Sequence, residues 1–195
     1  MSRSALIDAD DSVLIVIDVQ PPFVAKLPPE EGSPLVNRIC WLIGVARWLN
    51  VPLVVTAEDI AELGGVAPEV ERALPADAQI HDKPIFGLAA DRAILAAVEA
   101  SGRRTAVLIG LETDVCVAQS ALGLLDRGYR VVAVADATGS PGSAHADGLE
   151  RIRGAGGIVL GVKGLFYEWL RTVERARRFR VECAQTLGAP AGVGL

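Results

Sequence analysis

The 195-residue chain alternates short, nearly unbroken apolar runs with longer stretches in which apolar residues recur every three or four positions. A short unbroken run is the signature of a strand buried on both faces; the longer spacing is that of one helical stripe. Strands are therefore predicted at Ser12–Ile17, Leu53–Thr56, Ala78–Lys83, Ala106–Ile109, Val131–Ala135 and Gly157–Leu160. The longest early helix has Ser33 as N-cap and Pro34 at its first position. It runs to about Leu49, with Val36, Ile39, Cys40, Ile43 and Ala46 as its stripe. Further helices are expected at Pro68–Ala73, Asp91–Ala100, Ala144–Ala155, and from Leu165 to about Thr186. Pro21 and Pro22, lacking N–H groups, keep the segment after the first strand from being helical for long. Residues 188–195 read as a flexible tail.

Strands alternating with helices imply right-handed crossovers and an α/β architecture. The expected fold is a doubly wound, six-stranded parallel sheet with helices on both faces (Rossmann-like), in one domain spanning residues 1–187. Ligands of such sheets gather beyond the carboxyl ends of the strands. Three unlike ionisable residues are delivered there: Asp18 ends the first strand, Lys83 the third, and Cys116 follows the fourth.

Cys116 is the most informative of the three. The apolar run stops at Gly110 and passes through Glu112-Thr113-Asp114. It then turns helix-periodic at Val115, Ala118, Leu122 and Leu125, closing at Gly128. A thiol at such a junction faces the positive end of a helix dipole and unpaired N–H groups, which favour a thiolate and can hold an oxyanion. Position alone leaves a buried, inert thiol equally open. An ammonium about 4 Å from the sulfur is worth roughly 4 kcal/mol at an effective dielectric near 20. That is enough to bring the thiol pKa down by about a unit or more. Asp18 would accept the thiol proton and return it to a leaving group. Singly, a strand-end Asp caps turns and a Lys after a strand is solvated; the conjunction at one sheet edge is what singles them out.

Composition narrows the function. A net charge of −5 and a pI near 5.1 argue against nucleic acid or an anionic membrane as partner. The start of the chain has no apolar segment long enough for a signal peptide, and no later run approaches a membrane span. Three widely spaced cysteines suggest no disulfide framework and a reducing cytoplasm, with Cys40 and Cys183 packing as apolar residues. Only His81 and His145 are present, too few for a histidine metal cluster or a His-assisted nucleophile. Neither metal nor cofactor is expected. A dinucleotide would need a glycine-rich turn after the first strand, where the chain has Asp18-Val19-Gln20-Pro21-Pro22. The arginines of the last helix (Arg171, Arg175, Arg177, Arg178, Arg180) read as a solvated or oligomer-facing surface.

Three ordered motifs carry a resemblance. Asp18-Val19-Gln20 with Phe23, Lys83-Pro84-Ile85-Phe86, and Gly110-Leu111-Glu112-Thr113-Asp114-Val115-Cys116-Val117 resemble the motifs of the isochorismatase-like cysteine hydrolase superfamily. That superfamily includes nicotinamidases and carbamoylsarcosine and ureidoacrylate amidohydrolases. Asp136-Ala137 resembles its end of strand five, and the likeness runs from about Ser12 to Leu170. The resemblance implies Asp18 as general acid/base, Lys83 as activator and Cys116 as nucleophile. It also implies a cis peptide between Leu111 and Glu112, with the N–H groups of Glu112 and Cys116 as oxyanion donors. The implied reaction is hydrolysis of a small amide or related C–N bond through a thioester. The chain departs from metal-binding nicotinamidases, because Thr56-Ala57-Glu58-Asp59-Ile60 is followed by no histidine before His81.

Gln20, Phe23 and Phe86 are expected to line the substrate pocket, shaped by loops at residues 19–32, 57–66, 84–90 and 138–145. Glu112 is read as hydrogen-bonded within the scaffold in preference to binding substrate, and Asp114 as a cap for the nucleophile helix. The partners expected are a small-molecule substrate and other copies of the chain. Two competing readings are a non-catalytic binding or assembly module and a redox-sensing thiol protein.

Overall fold

The computed structural model describes residues 4–183 and 185–194. After a short 3₁₀ turn the chain enters β1 (Ser12–Ile17), every residue of which is buried. Pro21–Val24 forms a single turn, α1, with both prolines at its start, where a missing N–H costs nothing. There follow α2 (Pro29–Trp48), β2 (Leu53–Glu58), α3 (Ile60–Leu63), α4 (Pro68–Ala73) and β3 (Ile80–Lys83). The second half supplies α5 (Arg92–Ala100), β4 (Thr105–Leu111), α6 (Ala118–Asp126), β5 (Arg130–Gly139), α7 (Ala144–Gly154), β6 (Ile158–Leu160), α8 (Val162–Leu170) and α9 (Val173–Cys183). The six strands pair in the order β3-β2-β1-β4-β5-β6, all parallel, as the alternation of the sequence required.

Both faces of the sheet are covered. Leu14 and Val16 of β1 and Val107, Ile109 and Leu111 of β4 join a core with Ile39 and Leu42 of α2, Phe166 of α8 and Phe179 of α9. Val13, Ile15, Ile17, Ala106 and Leu108 point the other way, onto Ile94 of α5, Ala121 of α6 and Ile152 of α7. Burying each such large side chain stabilises the fold by about 1.5–3 kcal/mol. Close approach of β1 and β4 requires Gly110, at φ +123°: a Cβ there would lie 1.9 Å from the Ile17 carbonyl oxygen.

Several boundaries differ from expectation. The helix expected to open at Ser33 and Pro34 begins at Pro29, with Glu30 and Glu31 in its first turn, so Pro34 lies inside α2. The acidic first turn suits the positive end of the helix dipole. Strand β5 does not end at Asp136; a register shift after Leu108 lets Thr138 and Gly139 pair with Gly110 and Leu111. The single last helix is in fact two, broken where Arg171 takes φ +66°. Thr172 Oγ1 then accepts the Arg175 N–H at 3.1 Å and starts α9. Ala184, within the expected span of that helix, and Leu195, within the expected tail, lie outside the described residues. Val193, also in the expected tail, is buried against the first core.

Candidate active site

Each strand on one side of the sheet delivers a residue to its carboxyl end. Asp18 follows β1 in a left-handed conformation (φ +48°) and is fully buried. Glu58 ends β2 and Lys83 ends β3, as directly paired residues in the parallel ladder. Cys116 follows β4. Between β4 and α6 the chain makes a π-helical turn, Thr113–Val117, which places one extra residue in the turn. That residue shifts the phase of the helix. The face turned inward is Val117, Ala118, Ala121 and Leu124, and the expected stripe members Val115, Leu122 and Leu125 are only half-buried. Gly148 of α7 is closed onto this turn, since a Cβ there would sit 2.7 Å from the Asp114 backbone.

The three sequence-predicted residues meet around the Lys83 ammonium. Its Nζ lies 2.9 Å from Asp18 Oδ2 and 3.8 Å from Cys116 Sγ. It also donates to the carbonyls of Ile85 (2.7 Å) and Phe86 (3.1 Å). Asp18 Oδ1 accepts the Thr56 hydroxyl at 2.8 Å, while Oδ2 has the ion contact to Lys83 but no well-aligned hydrogen bond. Burial raises the Asp18 pKa above its ordinary value, against the pull of Lys83 and Thr56. A raised carboxyl pKa is what a proton acceptor for a thiol needs.

Glu58 is the residue that sequence reasoning missed. The Cys116 thiol donates to its Oε2 at 3.1 Å, and the same oxygen lies 3.8 Å from Lys83 Nζ. Its backbone is clamped by Gln20, whose amide accepts the Glu58 N–H at 2.7 Å and donates to the Glu58 carbonyl at 2.8 Å. The signal was available: Glu58 lies two positions past Thr56, and strand side chains alternate faces.

Burial, with the extra carboxylate adding to it, corrects the expected thiol chemistry. The Cys116 pKa is raised, not lowered: burial pushes it up first, Asp18 next, and Glu58 adds to both, with Lys83 alone opposing them. The free protein therefore holds a neutral thiol. Asp18, Glu58 and Cys116 offer three ligand atoms within 4.8 Å of one another. Lys83 already stands among them as the counter-charge, so a metal ion would have to displace it.

The remaining expected site residues are dispersed. Gln20 is buried and spends its amide on Glu58 and on the Gly64 carbonyl (2.7 Å), so it braces the site and does not line a pocket. Phe23 is buried in the first core with Lys26 over its ring at 4.6 Å. Phe86 is 52% exposed, and its carbonyl reaches the site. Glu112 pairs with Lys26 at 3.1 Å, in keeping with a scaffold role. Asp114 does not cap the helix; its Oδ1 accepts from Ser140 Oγ at 2.6 Å. The Leu111–Glu112 peptide is cis, as the resemblance implied. The N–H groups of Val115 and Val117 go to the Glu112 carbonyl and that of Asp114 to Ser140.

Access is narrow. Cys116 is 2% exposed, and of the four clustered residues Glu58 shows the most surface, with 18% of its side chain exposed. The largest cavity described, about 770 Å³ between α2 and the C-terminal segment, is lined by none of them.

A doubly wound parallel sheet that gathers a thiol, an ammonium and two carboxylates at its carboxyl edge has the make-up of an enzyme active site. The chain belongs to the isochorismatase family: the isochorismatase domain matches residues 12–163. It is 34% identical over 164 residues to the secreted isochorismatase effector Isc1 of Phytophthora sojae, covering 80% of this chain and 76% of that protein. Among solved structures, the MAR1 ribonuclease of Caenorhabditis elegans superposes with a TM-score of 0.83 at 23% identity, over 98% of each chain. The YcaC protein of Escherichia coli, described as an octameric hydrolase of unknown specificity, gives 0.81 at 23% identity, over 94% of this chain and 88% of that one. The protein is a hydrolase of that family. No helix among the described residues is long and apolar enough to cross a membrane.

Proposed function

We propose that the protein is a metal-independent cysteine hydrolase that cleaves a small amide or related C–N bond through a thioester on Cys116. One observation carries the reading: a single buried ammonium lies 2.9 Å from the Asp18 carboxylate and 3.8 Å from the Cys116 sulfur. Asp18 takes the thiol proton as the sulfur attacks the carbonyl carbon. The C–S bond forms and the carbonyl π electrons move to oxygen, where the N–H groups of Glu112 and Cys116 receive the oxyanion. The oxyanion collapses, the C–N bond breaks, and Asp18 returns its proton to the departing nitrogen. Water then attacks the thioester, giving one proton to Asp18; the C–S bond breaks, a carboxylic acid leaves, and that proton returns to sulfur.

A phosphodiester substrate fits poorly, because two carboxylates would meet an anionic phosphate with one ammonium already paired. A redox-sensing role is disfavoured by the raised thiol pKa, since the thiolate is the species that oxidants attack. Three unpaired cysteines suit a reducing, cytoplasmic setting. The test is intact-protein mass spectrometry after rapid quenching with a panel of small amides, beside ammonia release. An acyl mass on Cys116 that is absent from Cys116→Ala is the expected result. Neither adduct nor Cys116-dependent ammonia release from any amide would overturn the reading.

A further inference from the structure

We infer that Glu58 is a specificity residue whose carboxylate receives a cationic, N–H-bearing group of the substrate, so that the enzyme selects small amides carrying an ammonium or amidinium. The inference rests on the hydrolase reading for its reaction, but its geometry stands apart. Two carboxylates face one ammonium, and their arrangement leaves the two unequal. Asp18 is wholly buried, with one oxygen given to Thr56 and the other against Lys83 without a well-aligned hydrogen bond. Glu58 is the partly exposed carboxylate, and its partner is the weak donor Sγ–H. Of the two carboxylates, Glu58 alone presents surface to an incoming polar group.

The cation in the cluster cannot serve an anionic substrate. An ammonium has three N–H donors; Lys83 turns two to the carbonyls of Ile85 and Phe86 and the third to Cys116 Sγ, and its charge is already matched by Asp18 at 2.9 Å. Lys26, the nearby surface cation at Glu112, is likewise paired. A substrate carboxylate would therefore meet Glu58 with no free donor to offset the repulsion. A substrate N–H cation replaces a weak thiol donor with a charge-assisted hydrogen bond. It also neutralises one of the groups that hold the thiol protonated. The clamp from Gln20 fixes the Glu58 backbone on both sides, which gives the carboxylate a set position.

The experiment uses a shape-matched series at neutral pH: β-alaninamide (cation), butyramide (neutral) and succinamate (anion). Calorimetric binding is measured on full-length Cys116→Ser, which cannot form a thioester, and turnover on the native enzyme. β-Alaninamide should bind about tenfold or more tighter than either other amide, the yield of one charge-assisted hydrogen bond. Adding Glu58→Gln should reduce that preference to about threefold or less, with Glu58→Asp retaining part of it. Equal binding of the three amides, binding of none, or a cation preference that survives Glu58→Gln would overturn the inference. The ranking on Cys116→Ser decides by itself if the Glu58 variants do not fold. Preferential binding without turnover by the native enzyme would remove the hydrolase reading and leave this one; turnover of all three at equal kcat/KM would do the reverse.

Discussion

Removing the Lys83 ammonium is the sharpest perturbation the site offers. Its contact with Asp18 at 2.9 Å is worth about 6 kcal/mol, and that with Glu58 at 3.8 Å about 4 kcal/mol, at an effective dielectric near 20. Desolvation offsets most of this, so the measurable quantity is the cost of leaving a buried carboxylate alone. For loss of one partner of a buried pair that cost is about 3–5 kcal/mol. Lys83→Met, similar in length and without charge, should lower stability by that amount in urea denaturation at neutral pH. The cost depends on pH with a definite sign. Asp18 binds its proton more tightly folded than unfolded, so its contribution is fully present below its unfolded pKa. That contribution is lost as pH rises through the raised folded value. Removing Lys83 raises the folded value further and widens the window. The stability difference between native and Lys83→Met proteins should therefore shrink as pH falls toward about 4. Pairing Lys83→Met with Asp18→Asn should recover much of the loss. A deficit under about 1 kcal/mol at neutral pH, or one that does not change with pH, would refute an ionised Asp18 balanced by Lys83.

Gly110→Ala, with its Cβ 1.9 Å from the Ile17 carbonyl and φ at +123°, should lose about 4 kcal/mol or more by denaturant titration. Gly102→Ala, at φ +68° with open space around it, should lose only about 1–2 kcal/mol. Phe179 meets Phe166 at 5.1 Å and Trp48 at 5.3 Å, both edge to face, so Phe179→Ala should cost about 3–5 kcal/mol and expose α9 to hydrogen exchange. Phe86, Val173 and Val181 leave apolar surface uncovered, and light scattering should return a homo-oligomer mass; a monomer mass would contradict this.

The sequence exposed those features that repeat. The central strands announce themselves because a strand covered on both faces is almost wholly apolar: β1 and β4 are buried at every residue and carry one polar residue each, Ser12 and Thr105, at their starts, whereas the edge strands β3 and β6 are only partly covered. The convergence of Asp18, Lys83 and Cys116 followed from topology, since parallel strands end on one side. What escaped were places where one residue changes the local geometry. The extra residue of the π-helical turn before α6 cannot be seen in an apolar stripe until the turn is known, so the stripe points to Leu122 and Leu125 where the structure buries Ala121 and Leu124. The break at Arg171 lies between two helical patterns of similar phase, and no glycine marks it. Glu58 was hidden because Leu53–Thr56 reads as a complete strand, while pairing with β3 carries β2 two residues further.

Those two residues change what the constellation means. With Asp18 and Lys83 alone, the charges beside the sulfur nearly cancel, and burial already favours the protonated thiol. Glu58, brought level with Lys83 by the strand register, tips the local balance to negative. The thiol then keeps its proton in the free protein and donates it to the one carboxylate of the cluster that solvent can reach. Such a site is protected from idle oxidation, because the reactive sulfur species is scarce until a ligand changes the local charge. Its reactivity is accordingly a property of the complex. Labelling of Cys116 by a neutral alkylating agent should be slow in the free enzyme and faster in Glu58→Gln, whereas a nucleophile already activated by Lys83 would label rapidly in both.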